Sequence, residues 1–353
     1  LGRLLPAYGY FHLYLLLWLL AALLTFLAFR RWRPSGWLGL ALGNLAVFLL
    51  LLTGSLVAAE GWFYWCYDTT DGAMATLTSR RWRERHVRKN ALGFRGAMLP
   101  LHQPAEPGNL RVAVIGDSFT FGQGIDREED RFTEILERRL RGDGTRAQVF
   151  NLSNMGLNTR VELDILSFVA QSRTPLDLVI LAYVPNDILE PSTFTPAYAA
   201  AKARVEKPSP LVRAVTGCSF ALSFLYHRLT TFRDPAFRDY GKMVVSRYQD
   251  PTILDRHLRD LAGFALRCRE MGAPLAVVTF PIFHPLWRWE EFDPIHATLG
   301  AFWRRLGIRH LDLREALRRH PVESLVVNRY DSHPNGTAHR IAAEAIHREL
   351  FNR

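Results

Sequence analysis

The chain has 353 residues, 48% hydrophobic and 22% charged, with a formal charge of +10. That length suits one enzyme domain of roughly 200 to 250 residues with appendages. The basic excess does not indicate a nucleic-acid partner. No zinc-finger, RNP-like or helix-turn-helix pattern accompanies it, and the arginines cluster beside apolar segments, where phospholipid headgroups are the natural counter-charge.

From Gly9 to Phe29 the sequence carries no charged residue, a run long enough to cross a hydrocarbon core of about 30 Å as a helix. A second uncharged stretch, Trp37 to Ala59, contains Asn44 and several glycines, which are tolerated where two helices pack. Together they predict a transmembrane helical hairpin over residues 1–59. A cleaved signal peptide is the competing reading of the first stretch. Its apolar run is too long, however, and Arg30, Arg31 and Arg33 follow it in place of a small-residue cleavage site.

Those arginines lie in the connecting loop, whereas residues 60–79 hold no Lys or Arg but include Glu60, Asp68 and Asp71. The bias puts the loop in the cytoplasm and everything after Ala59 in the periplasm or on the outer face. The aromatic cluster Trp62, Phe63, Tyr64, Trp65 and Tyr67 fits an interfacial belt. The run SRRWRERHVRK, Ser79 to Lys89, is the feature at odds with that orientation, and it begins just beyond the distance over which loop charge is counted.

Residues 60–109 read as an irregular juxtamembrane linker, and the folded domain is expected from Leu110 to the end, 110–353. There, short apolar runs alternate with helical stretches, the pattern of a parallel sheet covered on both faces. The predicted strands are RVAVIG from Arg111, QVFNL from Gln148, LDLVILAYV from Leu176, PLAVVTF from Pro274 and IRHLDL from Ile308. Amphipathic helices are predicted near Arg131–Arg141, Arg160–Gln171, Ile253–Gly272, Pro294–Leu306 and Gly336–Phe351. Residues 189–250 interrupt the alternation and predict a helical insertion. Within it SFALSFLYHRL, Ser219 to Leu229, is too short to span and reads as a buried or interfacial helix.

Ligands of open parallel sheets bind beyond the carboxyl ends of the strands, and the first strand runs into GDSFTFGQG, Gly116 to Gly124. Ser118 therefore stands at the binding edge, although a serine there could be a mere helix cap. NLSNMGLNT follows the second strand and offers the backbone N–H of Gly156. VPND follows the third and offers the Asn186 amide to an oxyanion, or only an ordinary Asn-Asp turn. YDSHPNGTAH precedes the last helix and offers His333 as base with Asp331 to orient it.

These segments resemble the blocks of the SGNH (GDSL-like) hydrolase superfamily, over the chain from about Leu110 onward, and the apolar N-terminus resembles that of bacterial membrane-anchored members. The resemblance implies an α/β flavodoxin-like three-layer sandwich with a five-stranded parallel sheet. It implies Ser118 as nucleophile, and an oxyanion hole made by the N–H groups of Ser118 and Gly156 with the Asn186 side chain. His333 would be base and then acid, with Asp331 holding its tautomer. The 189–250 insertion would lie over that site. Two departures stand out: Asp-x-His replaces Asp-x-x-His, and Val184 replaces a glycine. Upstream, KNALGFRG, Lys89 to Gly96, resembles a segment preceding the catalytic domain in membrane-linked members and is expected to pin the linker against the sheet.

The function so implied is that of a membrane-anchored serine esterase or O-acyltransferase of the bacterial inner membrane. It would act on acyl, for instance acetyl, esters of an envelope glycan or lipid, and require no cofactor. The alternative is a non-catalytic subunit of the same fold that stabilises a membrane-protein complex. His284, His310, His320, His339 and His347 lack metal-ligand spacing and are expected at the surface or as caps. Cys66, Cys218 and Cys268 show no CxxC spacing. Two of them could pair, but incidental thiols are the simpler reading.

Overall fold

The structure is a computed structural model describing residues 5–32, 35–72, 76–283 and 289–352. Arg33 and His284 lie outside the described residues. The chain forms two compact units, one comprising Leu1–Glu84 with Lys202–Asp234, the other Arg85–Ala201 with Pro235–Arg353.

The first unit is helical. Helices Leu5–Trp32 and Gly36–Trp65 carry the two candidate membrane spans, Tyr10–Trp32 and Gly36–Trp65, each of mean hydropathy 2.2 with none of its most apolar window buried. They pack where a small residue faces a large one: a Cβ on Gly54 would lie 3.0 Å from the Trp18 ring. The Trp18 indole N–H donates to the Leu50 carbonyl at 2.9 Å, closing the polar group that the ring brings into an apolar interface.

The second helix continues past the expected end at Ala59 and takes Trp62, Phe63, Tyr64 and Trp65 into its last turns. The linker is also less irregular than expected, because Leu77–His86 forms a helix. Leu77 and Trp82 are buried and hold it in place. The hydroxyls of Thr76, Thr78 and Ser79 donate to the Asp71 carboxylate at 2.8, 2.7 and 2.7 Å. Arg81 of the basic run lies 4.4 Å over the Phe220 ring, so part of that charge serves packing.

The expected insertion is helical, with helices Pro196–Glu206, Pro210–Cys218, Phe220–Arg233, Pro235–Arg238 and Tyr240–Gln249. It is not one body, since Lys202–Asp234 belongs with the N-terminal helices. The tie is electrostatic. Buried Glu60 accepts the orphan N–H groups of Phe220 and Ala221 at 3.0 and 2.8 Å, and the Ser219 hydroxyl, so a carboxylate closes a helix N-terminus.

The second unit holds the sheet. Strands β1 (Asn109–Gly116), β2 (Arg146–Ser153), β3 (Leu178–Tyr183), β4 (Leu275–Thr279) and β5 (Arg309–Asp312) lie in the order β2-β1-β3-β4-β5, and every pairing is parallel. This is the flavodoxin-like order, whose switch point falls between β1 and β3. Val112 to Ile115 and Val179 to Tyr183 are fully buried, as a parallel sheet covered on both faces requires. Covering helices start at caps written in the sequence: Asn158 before Thr159–Gln171, Asp250 before Pro251–Glu270, Asn335 before Gly336–Ile346.

One element was not expected, a short antiparallel hairpin of β6 (Val326–Asn328) and β7 (Asp331–Pro334). The histidines also need correction. His320 is exposed, but His339 and His347 are buried: the Phe132 ring stacks on His339, and His347 lies 2.7 Å from the Asp143 carboxylate. His339 accepts the Phe132 N–H at 3.1 Å, and burial lowers its pKa to about 3. His310 is half-buried beside the Thr279 hydroxyl at 2.9 Å. All three thiols are free, and burial pushes Cys268 up to about 12. No group of metal-ligating side chains occurs among the described residues.

Candidate active site

β1 ends at Gly116, and the chain turns sharply into the short helix Ser118–Phe121. Only glycine fits at the turn: a Cβ at 116 would lie 2.3 Å from Thr120 Oγ1 and 2.7 Å from the Ala182 carbonyl of β3. Asp117, not Ser118, caps the helix, accepting the Phe119 N–H at 2.9 Å. The Ser118 hydroxyl is thereby released from capping.

It has two partners, Asp117 Oδ2 at 3.3 Å and, nearer, His333, whose Nε2 lies 2.9 Å from Ser118 Oγ. On the other side of the ring, Nδ1 lies 2.5 Å from Asp331 Oδ1. The same oxygen accepts the His333 backbone N–H at 3.1 Å. Asp331 is wholly buried, and Ser118 is 8% exposed. The Asp-x-His spacing works because both residues stand on β7, where positions i and i+2 share a face. Phe119 meets the imidazole edge-on, with ring centroids 5.5 Å apart.

Burial alone would pull the His333 pKa down. The Asp331 charge and hydrogen bond, with a smaller pull from Asp117, outweigh it and hold the imidazole above its ordinary value. A base that gains affinity for a proton when a hydroxyl hands one over is what nucleophile activation needs.

Gly156 and Asn186 occupy the turns after β2 and β3, the two neighbours of β1, so they share the carboxyl edge of the sheet with Ser118. Gly156 is exposed with φ +74°, the left-handed region that favours glycine. Asn186 sits in the turn Pro185–Ile188. The Tyr248 hydroxyl donates to the Pro185 carbonyl at 2.9 Å, and the Asn186 side chain hydrogen-bonds the Tyr240 hydroxyl. Val184 costs that turn nothing, since its φ of −122° is extended backbone open to any residue. Hydrogen bonds thus join Ser118, His333 and Asp331 directly, while Gly156 and Asn186 are brought to the same edge by topology.

Sequence reasoning missed the acids behind the serine. Asp117, Glu162 and Asp187 are all buried. Neither Glu162 oxygen nor Asp187 Oδ1 has a hydrogen-bond partner among the described residues. Desolvation raises all three, and their mutual repulsion adds to it for Glu162 and Asp187. The signal for Glu162 was present: it falls on the buried stripe Thr159, Glu162, Leu166, Val169, spaced as one helical face.

KNALGFRG acts on this site more directly than expected. Lys89 and Arg95 form an antiparallel bridge. The Arg95 guanidinium is buried and donates to the carbonyls of Gly122 and Ile125 at 2.9 and 2.7 Å and of His86 at 3.0 Å. It pins the loop that leaves the Ser118 helix, not the sheet itself.

Comparison with known proteins places this arrangement. Solved structures similar to the chain include one titled TesA, at 15% identity over 68% of this chain and 98% of that one, with a TM-score of 0.43. Another is an acetyl xylan esterase, AlAXEase, at 11% identity over 69% and 100%, TM-score 0.42. A member of the lipolytic protein G-D-S-L family from Veillonella parvula DSM 2008 shows 12% identity over 69% and 99%, TM-score 0.38. Curated proteins give no match. The family model for the GDSL-like lipase/acylhydrolase family matches residues 114–341, a stretch that begins within β1, ends within helix Gly336–Ile346 and takes in Ser118, Gly156, Asn186, Asp331 and His333. Matched over more than half its length, the chain belongs to the GDSL-like lipase/acylhydrolase family.

Proposed function

We propose that the protein is a membrane-anchored serine esterase or O-acyltransferase working through an acyl-enzyme on Ser118. The observation that carries this is the unbroken hydrogen-bond chain Ser118 Oγ, His333 Nε2, His333 Nδ1, Asp331 Oδ1 at 2.9 and 2.5 Å. His333 takes the hydroxyl proton as Oγ attacks the ester carbonyl. The N–H groups of Ser118 and Gly156 and the Asn186 amide receive the developing oxyanion. Collapse expels the alcohol with the proton from His333, and the same base then activates water or a sugar hydroxyl to accept the acyl group. Asp331 keeps the proton on Nδ1 and stabilises the imidazolium.

The substrate we propose is an acyl ester of an envelope glycan or lipid. Its support is location: the two apolar helices read as spans, and Arg30 and Arg31, expected in the connecting loop, instead stand in the last turn of the first helix, where they still favour a cytoplasmic end for that helix and an outer-face catalytic unit. Residues 85–201 with 235–353 are then the hydrolase-like domain.

The test is fluorophosphonate labelling of detergent-solubilised protein, comparing wild type with Ser118→Ala and His333→Ala. Labelling of wild type alone is expected. Folded wild-type protein that takes no label would overturn the serine mechanism and favour the non-catalytic subunit.

A further inference from the structure

We propose that helices Pro210–Cys218 and Phe220–Arg233 lie in the bilayer interface as a third membrane contact of the first unit, with lipid covering their exposed apolar faces. The proposal rests on reading the two N-terminal helices as membrane spans.

The first argument is the pattern of exposure. Helix Phe220–Arg233 buries Phe220, Ser223 and His227 and leaves Leu225, Leu229 and Phe232 exposed at 50%, 42% and 76%. These positions fall at i, i+4 and i+7, one continuous stripe. In helix Pro210–Cys218 the exposed apolar residues are Leu211 at 75% and Val215 at 42%, again i and i+4. Arg213 falls on the opposite side of the helical wheel. Apolar residues scattered singly on a surface need no explanation, but two aligned stripes on packed helices mark an interaction surface.

The second argument fixes the occupant. The carbonyl of Cys218, at the junction of the two helices, accepts the Tyr14 hydroxyl at 2.8 Å. Tyr14 stands inside the span Tyr10–Trp32, about 6 Å below its upper end at 1.5 Å per residue. The next residues, Ser219 to Ala221, are capped by Glu60 of the second span. The junction is therefore tied to both spans just inside their outer ends, the depth at which in-plane helices rest, roughly 5 to 10 Å into the headgroup boundary. The exposed apolar residues of the two spans and of this pair thus belong to one unit. Lys207, Arg213 and Arg233 are exposed at the margins of the pair, where cationic heads reach anionic phosphate while their stems stay apolar.

Of the two expectations for Ser219 to Leu229, buried or interfacial, this favours the interfacial one and extends it to Pro210–Cys218. The chain leaves β3, returns to the membrane at Pro210–Arg233, and only then completes the sheet with β4 and β5. The first unit is therefore built from chain segments that lie on both sides of the third strand in sequence.

The experiment uses the wild-type chain in vesicles containing a phospholipid with a photoactivatable diazirine in its acyl chain, followed by peptide mapping of the adducts. Adducts are expected in both spans and on Leu211, Val215, Leu225, Leu229 and Phe232. None is expected at Leu266, which is exposed at 54% on helix Pro251–Glu270 and serves as the aqueous reference. Adducts in the spans with none between 210 and 233 would overturn the proposal and show that water or a protein covers the stripes. Absence of adducts from the spans as well would overturn the anchor reading on which it rests.

Discussion

The sharpest test of the site is Asp331→Asn. Asp331 Oδ1 accepts both the Nδ1–H of His333 and the His333 backbone N–H. An asparagine oxygen in that place can accept both as well, so the tautomer is kept while the negative charge is lost. With the carboxylate and imidazolium centres about 4 Å apart and an effective dielectric constant of about 20, that charge is worth roughly 4 kcal/mol to the ion pair formed on proton transfer. At 1.36 kcal/mol per decade, kcat/KM should fall by about a thousandfold.

The pH profile separates this cause from a distorted site. In the proposed mechanism activity needs neutral His333, so kcat/KM should rise with pH through its pKa. Because Asp331 is the main group holding that pKa above its ordinary value, the limb should move to lower pH in Asp331→Asn while the plateau drops. The assay is hydrolysis of a p-nitrophenyl ester across pH, with thermal melting to confirm the fold. Retention of activity within about tenfold, or a limb that does not move downward, would refute the ion-pair argument.

Three further outcomes follow from the same geometry. Gly116→Ala should destabilise the protein by roughly 3 kcal/mol and depress activity, since its Cβ meets the β3 backbone as well as Thr120; an unchanged melting temperature would contradict it. Arg95→Leu leaves the buried carbonyls of Gly122 and Ile125 without their donor and should cost roughly 3 to 5 kcal/mol, read by denaturant unfolding, with fluorophosphonate labelling slowed because the loop behind Ser118 loosens. His257 and His339 are held neutral, each lowered to about 3 by burial. The unfolded chain takes up those protons first, so stability is lost as pH falls from 6.5 toward 3, by about 2 kcal/mol per histidine at about pH 5; melting temperatures that stay level from about pH 7 to about pH 5 would exclude it.

What the sequence could and could not reveal divides along physical lines. The strands were legible because a parallel strand buried on both faces must be a run such as Leu178–Tyr183, and the helices because one apolar face repeats at helical spacing. The placement of Ser118, Gly156 and Asn186 at one edge of the sheet was legible because each follows a strand. β6 and β7 were not: VVN and DSHP are too short for alternation to register. The division into two units was hidden as well. It depends on contacts far apart in the chain, such as Glu60 with Ser219, and no window of sequence contains both.

The buried acids show how burial rewrites a local reading. Asp117, Glu162 and Asp187 cannot all ionise out of water at close quarters, because each charge raises the cost of the next. Among the described residues Glu162 has no donor for either oxygen, and Asp187 has one, the Val184 N–H at 2.8 Å. Asp117 has the Phe119 N–H and faces His333. Asp117 is therefore the member best able to carry charge, and Glu162 the one best kept protonated. A neutral Glu162 leaves any negative charge where it assists the imidazolium. Unfolding then releases its proton once pH exceeds the ordinary Glu value of 4.5, so this residue costs stability increasingly as pH rises. Glu162→Gln, which fixes the protonated shape, should melt higher than wild type by a margin that grows with pH, and leave the His333 limb of the pH profile in place. A variant that melts lower at every pH would mean that the Glu162 carboxylate is charged in the folded protein, and that the apparent crowding of acids behind Ser118 is relieved in some other way.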